Sequence, residues 1–276
     1  MVMPIITRKE GIKILHSRDG DLILSLDLGK TTETVKVHEG FVHIRENKVP
    51  ISDFEKTKDD VLYVVDEHIL KKAAMFSDET QFYYKLFPTT DWPTLMLSST
   101  PMHRYTHISP KMDTETKIKE VFPIKGVVLD TCCGLGYSAI MASKYADKVV
   151  VFERDPNVLH VASFNPYSEE LFNNQKIEVK NEDVLDSIAS LSDAMFDRVI
   201  HDPPTFKYSP DLYSKEFYKE LFRVMKKGAI LYHYAPSPHK TRGEEFHLKV
   251  VRNLKESGFK EVTYNENSSG IRAIKQ

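Results

Sequence analysis

The sequence predicts an α/β fold: a mostly parallel sheet with a small β-rich domain ahead of it. Three observations carry this. From Gly126 onward, apolar strand-like runs alternate with helix-like segments, the pattern of a sheet covered on both faces. From Gly11 to about Val65, polar and apolar residues alternate between turn signals instead. The length, 276 residues with 41% hydrophobic and 28% charged, suits one large domain or two unequal ones with a real core.

Lys13-Ile14-Leu15-His16 leads into Ser17-Arg18-Asp19-Gly20, whose Asp-Gly pair favours a hairpin turn. Leu22, Leu24, Leu26 and Leu28 then fall on one face of a strand. Thr34–Val37 and Phe41–Ile44 flank a Glu39-Gly40 turn, and Val61–Val65 reads as a further strand. Residues 1–66 therefore form a small β-meander without long helices. Residues 67–125 read as a connecting segment with helices. It comprises a short helix over His68–Phe76, an aromatic and proline-rich stretch over Gln81–Arg104, and a helix over Asp113–Val121 closed by Pro123 and Gly126.

The third region, 126–276, places strands at Val127–Asp130, Lys148–Glu153, Ile177–Lys180, Asp197–His201 and Ala229–Tyr234. Helices fall at Ser138–Tyr145, Pro156–Ala162, Ser214–Met225 and Gly243–Glu256, and Glu261–Tyr264 pairs antiparallel with Ile271–Ile274.

Composition narrows the function. Lys+Arg minus Asp+Glu is 38 − 40 = −2, so no global positive field draws the molecule onto nucleic acid. No uncharged run approaches the ~18 apolar residues of a membrane span. The two cysteines are the adjacent Cys132 and Cys133, which excludes a disulfide framework and points to a reducing compartment. The expectation is a soluble cytoplasmic protein without a membrane partner.

Four motifs carry chemistry. In Val127-Val128-Leu129-Asp130-Thr131-Cys132-Cys133-Gly134-Leu135-Gly136-Tyr137 an apolar strand ends in an acid and a glycine turn opens a helix. The spacing is not the dinucleotide fingerprint, since Ile140 stands near where its third glycine would be. Val149-Val150-Val151-Phe152-Glu153-Arg154 ends a buried strand in a carboxylate able to accept ribose hydroxyls. In Asn181-Glu182-Asp183-Val184, Asp183 is suited to an adenine amino group. In Val199-Ile200-His201-Asp202-Pro203-Pro204-Thr205-Phe206 a strand runs into two prolines, which end it and present carbonyls beside a carboxylate.

In this order the motifs resemble the class I S-adenosylmethionine-dependent methyltransferases, over about Gly126 to Gln276. Leu221 to Leu231 resembles that family's helix–Lys–Gly–strand run. The stretches Trp92-Pro93-Thr94-Leu95 and Met102-His103-Arg104 are similar to a group of uncharacterised archaeal methyltransferases. The resemblance implies a Rossmann-like methyltransferase sheet and S-adenosyl-L-methionine as cofactor. It implies that Asp130, Cys132, Gly134 and Gly136 line the methionine part, Glu153 and Arg154 the ribose side, and Asp183 and Val184 the adenine. Asp202 and Pro203 would face the methyl group and the acceptor, with Pro204 and Phe206 on the acceptor side.

The acceptor motif of exocyclic-amine methyltransferases is (Asp/Asn/Ser)-Pro-Pro-aromatic. Here Thr205 intervenes and Phe206 comes one residue late, closer to certain bacterial ribosomal-RNA base methyltransferases. The implied substrate is a nucleobase in RNA, with an exocyclic amine of cytosine or guanine as target. Lys240 and Arg242, following the strand that ends at Tyr234, suit a phosphate, and His103 and Arg104 suit the same rim. No metal is expected, because His103-x-x-x-His107 lacks a third ligand. The alternatives are methylation of a small molecule or protein, aminopropyl transfer, and a binding module that has lost catalysis. Aminopropyltransferases resemble this fold but place an acid after their glycine loop, where this chain has Tyr137.

Overall fold

A computed structural model describes residues 3–236 and 246–276. The chain divides into two compact units, Met1–Pro110 with Asn157–Glu169, and Lys111–Pro156 with Glu170–Gln276.

The first unit contains β1 (Ile5–Ile6), α1 (Arg8–Leu15), β2 (Gly20–Leu24), β3 (Glu33–His38), β4 (Phe41–Ile44) and β5 (Asn47–Pro50). It continues through β6 (Tyr63–Asp66), β7 (Ile69–Lys72), β8 (Ala74–Ser77), β9 (Phe82–Phe87), β10 (Thr94–Leu97) and β11 (Thr100–Pro101). These strands make three antiparallel sheets, in the orders β2-β3-β4-β5, β1-β6-β7 and β11-β10-β9-β8. Ile6, Ile14, Leu24, Val37, Phe54 and Tyr63 are buried in one core. The expected Glu39-Gly40 turn joins β3 to β4, with φ 48° and 79° at its two central residues, the left-handed pair of a type I′ hairpin.

Two expectations for this region are corrected. The segment before the Asp19-Gly20 turn is the helix α1, capped by the Thr7 side chain, which accepts the Glu10 N–H at 3.2 Å. The connecting segment expected at 67–125 carries five strands, β7 to β11, ahead of one helix. Glu67 and His68, at φ 48° and 63°, form the tight turn between β6 and β7, so no helix spans His68–Phe76. The aromatic stretch from Phe82 to Leu97 supplies the paired strands β9 and β10. Prolines fall between or at the ends of these strands rather than inside them, as Pro88, Pro93 and Pro101 do.

The chain then forms α2 (Pro110–Lys119), β12 (Val127–Asp130), α3 (Tyr137–Ser143), β13 (Lys148–Phe152), α4 (Pro156–Ser163), α5 (Glu169–Asn173) and β14 (Ile177–Lys180). It ends with α6 (Val184–Ser187), β15 (Phe196–His201), α7 (Lys215–Val224), β16 (Met225–Tyr234), α8 (Phe246–Glu256), β17 (Lys260–Asn265) and β18 (Gly270–Ile274). From Asn157 to Glu169 the chain belongs to the first unit.

The second unit is built on one seven-stranded sheet, ordered β14-β13-β12-β15-β16-β18-β17. Neighbours from β14 to β16 pair in parallel, while β18 runs antiparallel to β16 and β17. Val149, Val150, Val151 and Phe152 are buried in succession, as a parallel strand covered on both faces requires. Helix α7 lays Phe217, Tyr218, Leu221 and Val224 onto the core. Each such side chain contributes roughly 1.5–3 kcal/mol by leaving water. The chain proceeds from β12 to β13 and β14 on one side, then returns to β15 and β16 on the other. That reversal falls between β12 and β15, at whose carboxyl ends open α/β sheets bind ligands. Among the described residues, no helix is long and apolar enough to cross a membrane.

Candidate active site

Three adjacent strands deliver carboxylates to one end of the sheet. Asp130 is the last residue of β12, Glu153 follows β13, and Asp202 follows β15. Asp130 is fully buried; its Oδ2 accepts the Ser138 hydroxyl at 2.6 Å and its Oδ1 the Cys132 N–H at 3.3 Å. Burial pushes its carboxyl up to about 7 against those two bonds, and the charges of Asp202 and Glu153 add to the rise. Glu153 Oε2 accepts the Gly134 N–H and Oε1 the Asp155 N–H, both at 3.0 Å. Burial lifts this carboxyl to about 7 as well. Each of its oxygens retains a second lone pair, so hydroxyl donors can be accepted without breaking the loop.

The two loop glycines have different tasks. Gly134 sits at φ 54° with nothing within 4 Å of where a Cβ would stand, so the backbone borders open space. Gly136, at φ 76°, would place a Cβ 2.7 Å from Leu171 Cδ2, so it serves close packing at the start of α3. Burial pushes the Cys132 and Cys133 thiols well above their ordinary value, which makes both poor nucleophiles. Asp183 caps α6, accepting the Leu185 N–H at 2.9 Å on Oδ1, while Oδ2 lies 3.6 Å from Arg154 Nη1. Val184 is buried beneath it.

After β15, Pro203 is buried and the Pro204 carbonyl accepts the Tyr213 hydroxyl at 2.9 Å, which holds this loop. Phe206 is 44% exposed, and its ring centre lies 5.6 Å from those of Tyr213 and Phe246. Beneath Asp202, His201 is buried with Nδ1 2.7 Å from Thr131 Oγ1 and Nε2 2.9 Å from the Leu212 carbonyl. Burial lowers this imidazole to about 4, so it is neutral. The Leu212 oxygen can only accept, so Nε2 carries the proton and Nδ1 accepts from Thr131.

The structure thus brings Asp130, Cys132, Gly134, Gly136, Glu153, Asp202, Pro203, Pro204 and Phe206 together around the carboxyl ends of β12, β13 and β15, with Arg154, Asp183 and Val184 beyond β13 and β14. His103 and Arg104 belong to the first unit, where His103 Nδ1 is 3.0 Å from Thr94 Oγ1. Lys240 and Arg242 lie outside the described residues. Sequence reasoning missed Lys117, which lies 2.7 Å from Asp202 Oδ2, and Tyr213; it quoted His201 without a role. Among the described residues, no group of three or more His, Cys, Asp or Glu is placed to hold a metal ion.

Such a site can receive a ligand with cationic and diol groups at Asp130 and Glu153, and orient a hydrogen-bond donor at Asp202. The fold is shared with known proteins. The chain is 39% identical over its whole length to an uncharacterized protein of Methanocaldococcus jannaschii, MJ1233, covering 96% of that protein. It resembles a spermidine synthase crystallised with the transition-state analogue AdoDATO, at TM-score 0.59 and 16% identity over 74% of this chain and 73% of that one. Spermidine synthase from Thermotoga maritima follows at TM-score 0.56, 16% identity, and 74% and 72% coverage. MNMC2 from Aquifex aeolicus gives TM-score 0.51, 17% identity, and 70% of both chains. The family model of the spermine/spermidine synthase domain matches residues 102–265, more than half of the chain, and the chain belongs to that family.

Proposed function

We propose that this chain is an S-adenosylmethionine-dependent transferase that methylates an amino group on an aromatic acceptor, a nucleobase of RNA in the first instance. The observation that carries this is the pairing of Asp202 with an exposed ring four residues later, Phe206, seated on Tyr213 and Phe246 at the carboxyl end of the sheet. The carboxylate accepts an N–H of the acceptor and the ring stacks on its plane.

The residues suit the cofactor. A bound sulfonium would favour the ionised forms of Asp130 and Glu153, carboxyls that burial raises to about 7, and Gly134 leaves the space its approach requires. When bound, the cofactor supplies an electrophilic methyl group. The protein's own part is positional: Glu153 and the Gly134 loop hold one partner, and the rigid Asp202-Pro203-Pro204 turn holds the other in line. In this reading Arg154, Asp183 and Val184 border the adenine side, and Lys240 and Arg242 contact acceptor phosphate.

A second reading, aminopropyl transfer from the decarboxylated cofactor, is favoured by the family match. Against it, the segment Thr131 to Tyr137 contains no acid to hold the cationic propylamine. One experiment separates the two. The protein is incubated with labelled S-adenosylmethionine or its decarboxylated form and a cell extract, which is then resolved into RNA, protein and small molecules. Methyl label in RNA supports the first reading, and an aminopropyl group on a small amine establishes the second.

A further inference from the structure

A fixed cation stands against the carboxylate that closes β15. Lys117, on α2, places Nζ 2.7 Å from Asp202 Oδ2, 3.0 Å from Asp113 Oδ2 and 4.6 Å from the centre of the Tyr234 ring. The Lys117 side chain is 4% exposed, Asp113 is fully buried, and Asp202 is 22% exposed. Two carboxylates and an aromatic face surround the ammonium, and each favours its charged form. Burial alone would lower its pKa, but Asp202 and Asp113 outweigh that and hold it raised.

We propose that Lys117 selects the acceptor class, admitting an amine that is neutral at physiological pH, as on a nucleobase, and rejecting aliphatic polyammonium ions. This rests on the reading of Asp202 as the group that orients the acceptor. Charge gives the first reason. An ammonium bound to Asp202 would lie within a few ångström of Lys117, and like charges at such range cost on the order of 10²-fold in affinity at a partly buried site.

Proton chemistry gives the second. An alkylammonium has no lone pair until a base takes its proton, and a carboxylate paired with a buried lysine is a weakened base. An aryl amine needs no such step. Its lone pair forms the N–C bond, the C–S electron pair leaves with sulfur to give a thioether, and one N–H proton departs through Asp202 to solvent. A carboxylate held ionised by Lys117 is suited to accepting that N–H bond. The exposed Phe206 ring, absent from any requirement of a polyamine, fits the same acceptor.

The test uses the full chain, titrated calorimetrically with spermidine and separately with S-adenosylmethionine. The variants are Lys117→Met and the double variant Lys117→Met/Asp113→Asn, which removes a buried negative charge together with the buried positive one; circular dichroism checks folding. The wild type should bind S-adenosylmethionine and show no spermidine binding at millimolar concentration. The double variant should keep its S-adenosylmethionine affinity within about threefold and gain spermidine affinity on the order of 10²-fold. Adding Asp202→Asn should remove that gain. Wild type binding spermidine as tightly as the variant, or accepting a transferred group on it, overturns the proposal while leaving the transferase reading intact. A folded variant without the gain also overturns it. Failure of the wild type to bind S-adenosylmethionine removes the underlying reading and the proposal with it. Wild type binding spermidine at millimolar concentration overturns the proposal even if neither variant folds.

Discussion

The Thr131 hydroxyl donates to His201 Nδ1 across 2.7 Å, joining the first residue after β12 to the last residue of β15. His201 passes the constraint on, because its Nε2–H reaches the Leu212 carbonyl at 2.9 Å on the far side of the Asp202-Pro203-Pro204 loop. One neutral imidazole therefore ties the loop after β12 to the loop after β15. Thr131→Val should cost roughly 1–3 kcal/mol, the range for a buried polar atom left unpaired. Nitrogen NMR of the imidazoles should show His201 as the neutral Nε2–H tautomer down to about pH 4. A protonated His201 at pH 6 would contradict the assigned bonding.

Asp130 makes a pH prediction whose sign can be worked out. Its carboxyl, raised from 3.8 to about 7, keeps a proton in the folded state that the unfolded chain has already released. The stability it contributes is fully present below about pH 4 and is lost as pH rises through 7. His201 acts oppositely: with its pKa lowered from 6.5 to about 4, its contribution is present above 6.5 and lost as pH falls. Comparing wild type with Asp130→Asn by denaturant unfolding isolates the first term. From pH 4 to pH 8 the variant should gain on the order of 2–4 kcal/mol relative to wild type. A flat difference would show that Asp130 is ionised throughout. By the same linkage, a cationic cofactor should bind more tightly as pH rises through 7.

The parallel sheet was legible because its strands are buried on both faces and so read as unbroken apolar runs, as Val149 to Phe152 does. Three of these runs end in an acid, which drew attention to Asp130, Glu153 and Asp202. The first unit was less legible. Short antiparallel strands such as β7 and β8 mix exposed and buried residues without a clean period, and positive φ at Glu67 and His68 is a tertiary choice. Helix α1 carried a signal that went unused, since Thr7 and Glu10 have the spacing of a capping box. Lys117 could not be found this way. An Asp113–Lys117 pair is ordinary on a solvated helix, and its link to Asp202 spans 85 residues.

Phe206 should separate acceptor binding from stability. Its ring is 44% exposed, so Phe206→Ala should change the unfolding free energy by no more than about 1 kcal/mol. Loss of a stacking platform should weaken acceptor binding by roughly 1–3 kcal/mol per stacked base. Phe206→Trp should restore it. Equal loss in both variants would mean that the ring only packs on Tyr213 and Phe246.

The two loop glycines offer a paired test of which backbone faces the ligand. Gly134→Ala adds a methyl group to open space, at a left-handed residue where a side chain costs roughly 1–2 kcal/mol. The fold should survive that. If the open space is the cofactor cradle, affinity should fall at least tenfold, since the methyl group stands where the ligand approaches. Gly136→Ala bears the same backbone cost and drives its Cβ to 2.7 Å from Leu171 Cδ2, so it should destabilise the protein further. Thermal unfolding and cofactor titration on both variants check the contrast. Gly134→Ala should be the more stable and the worse binder, because only its added carbon occupies ligand space. The reverse ranking would move the cradle away from Gly134 and detach the Glu153–Gly134 hydrogen bond from any role in holding the cofactor.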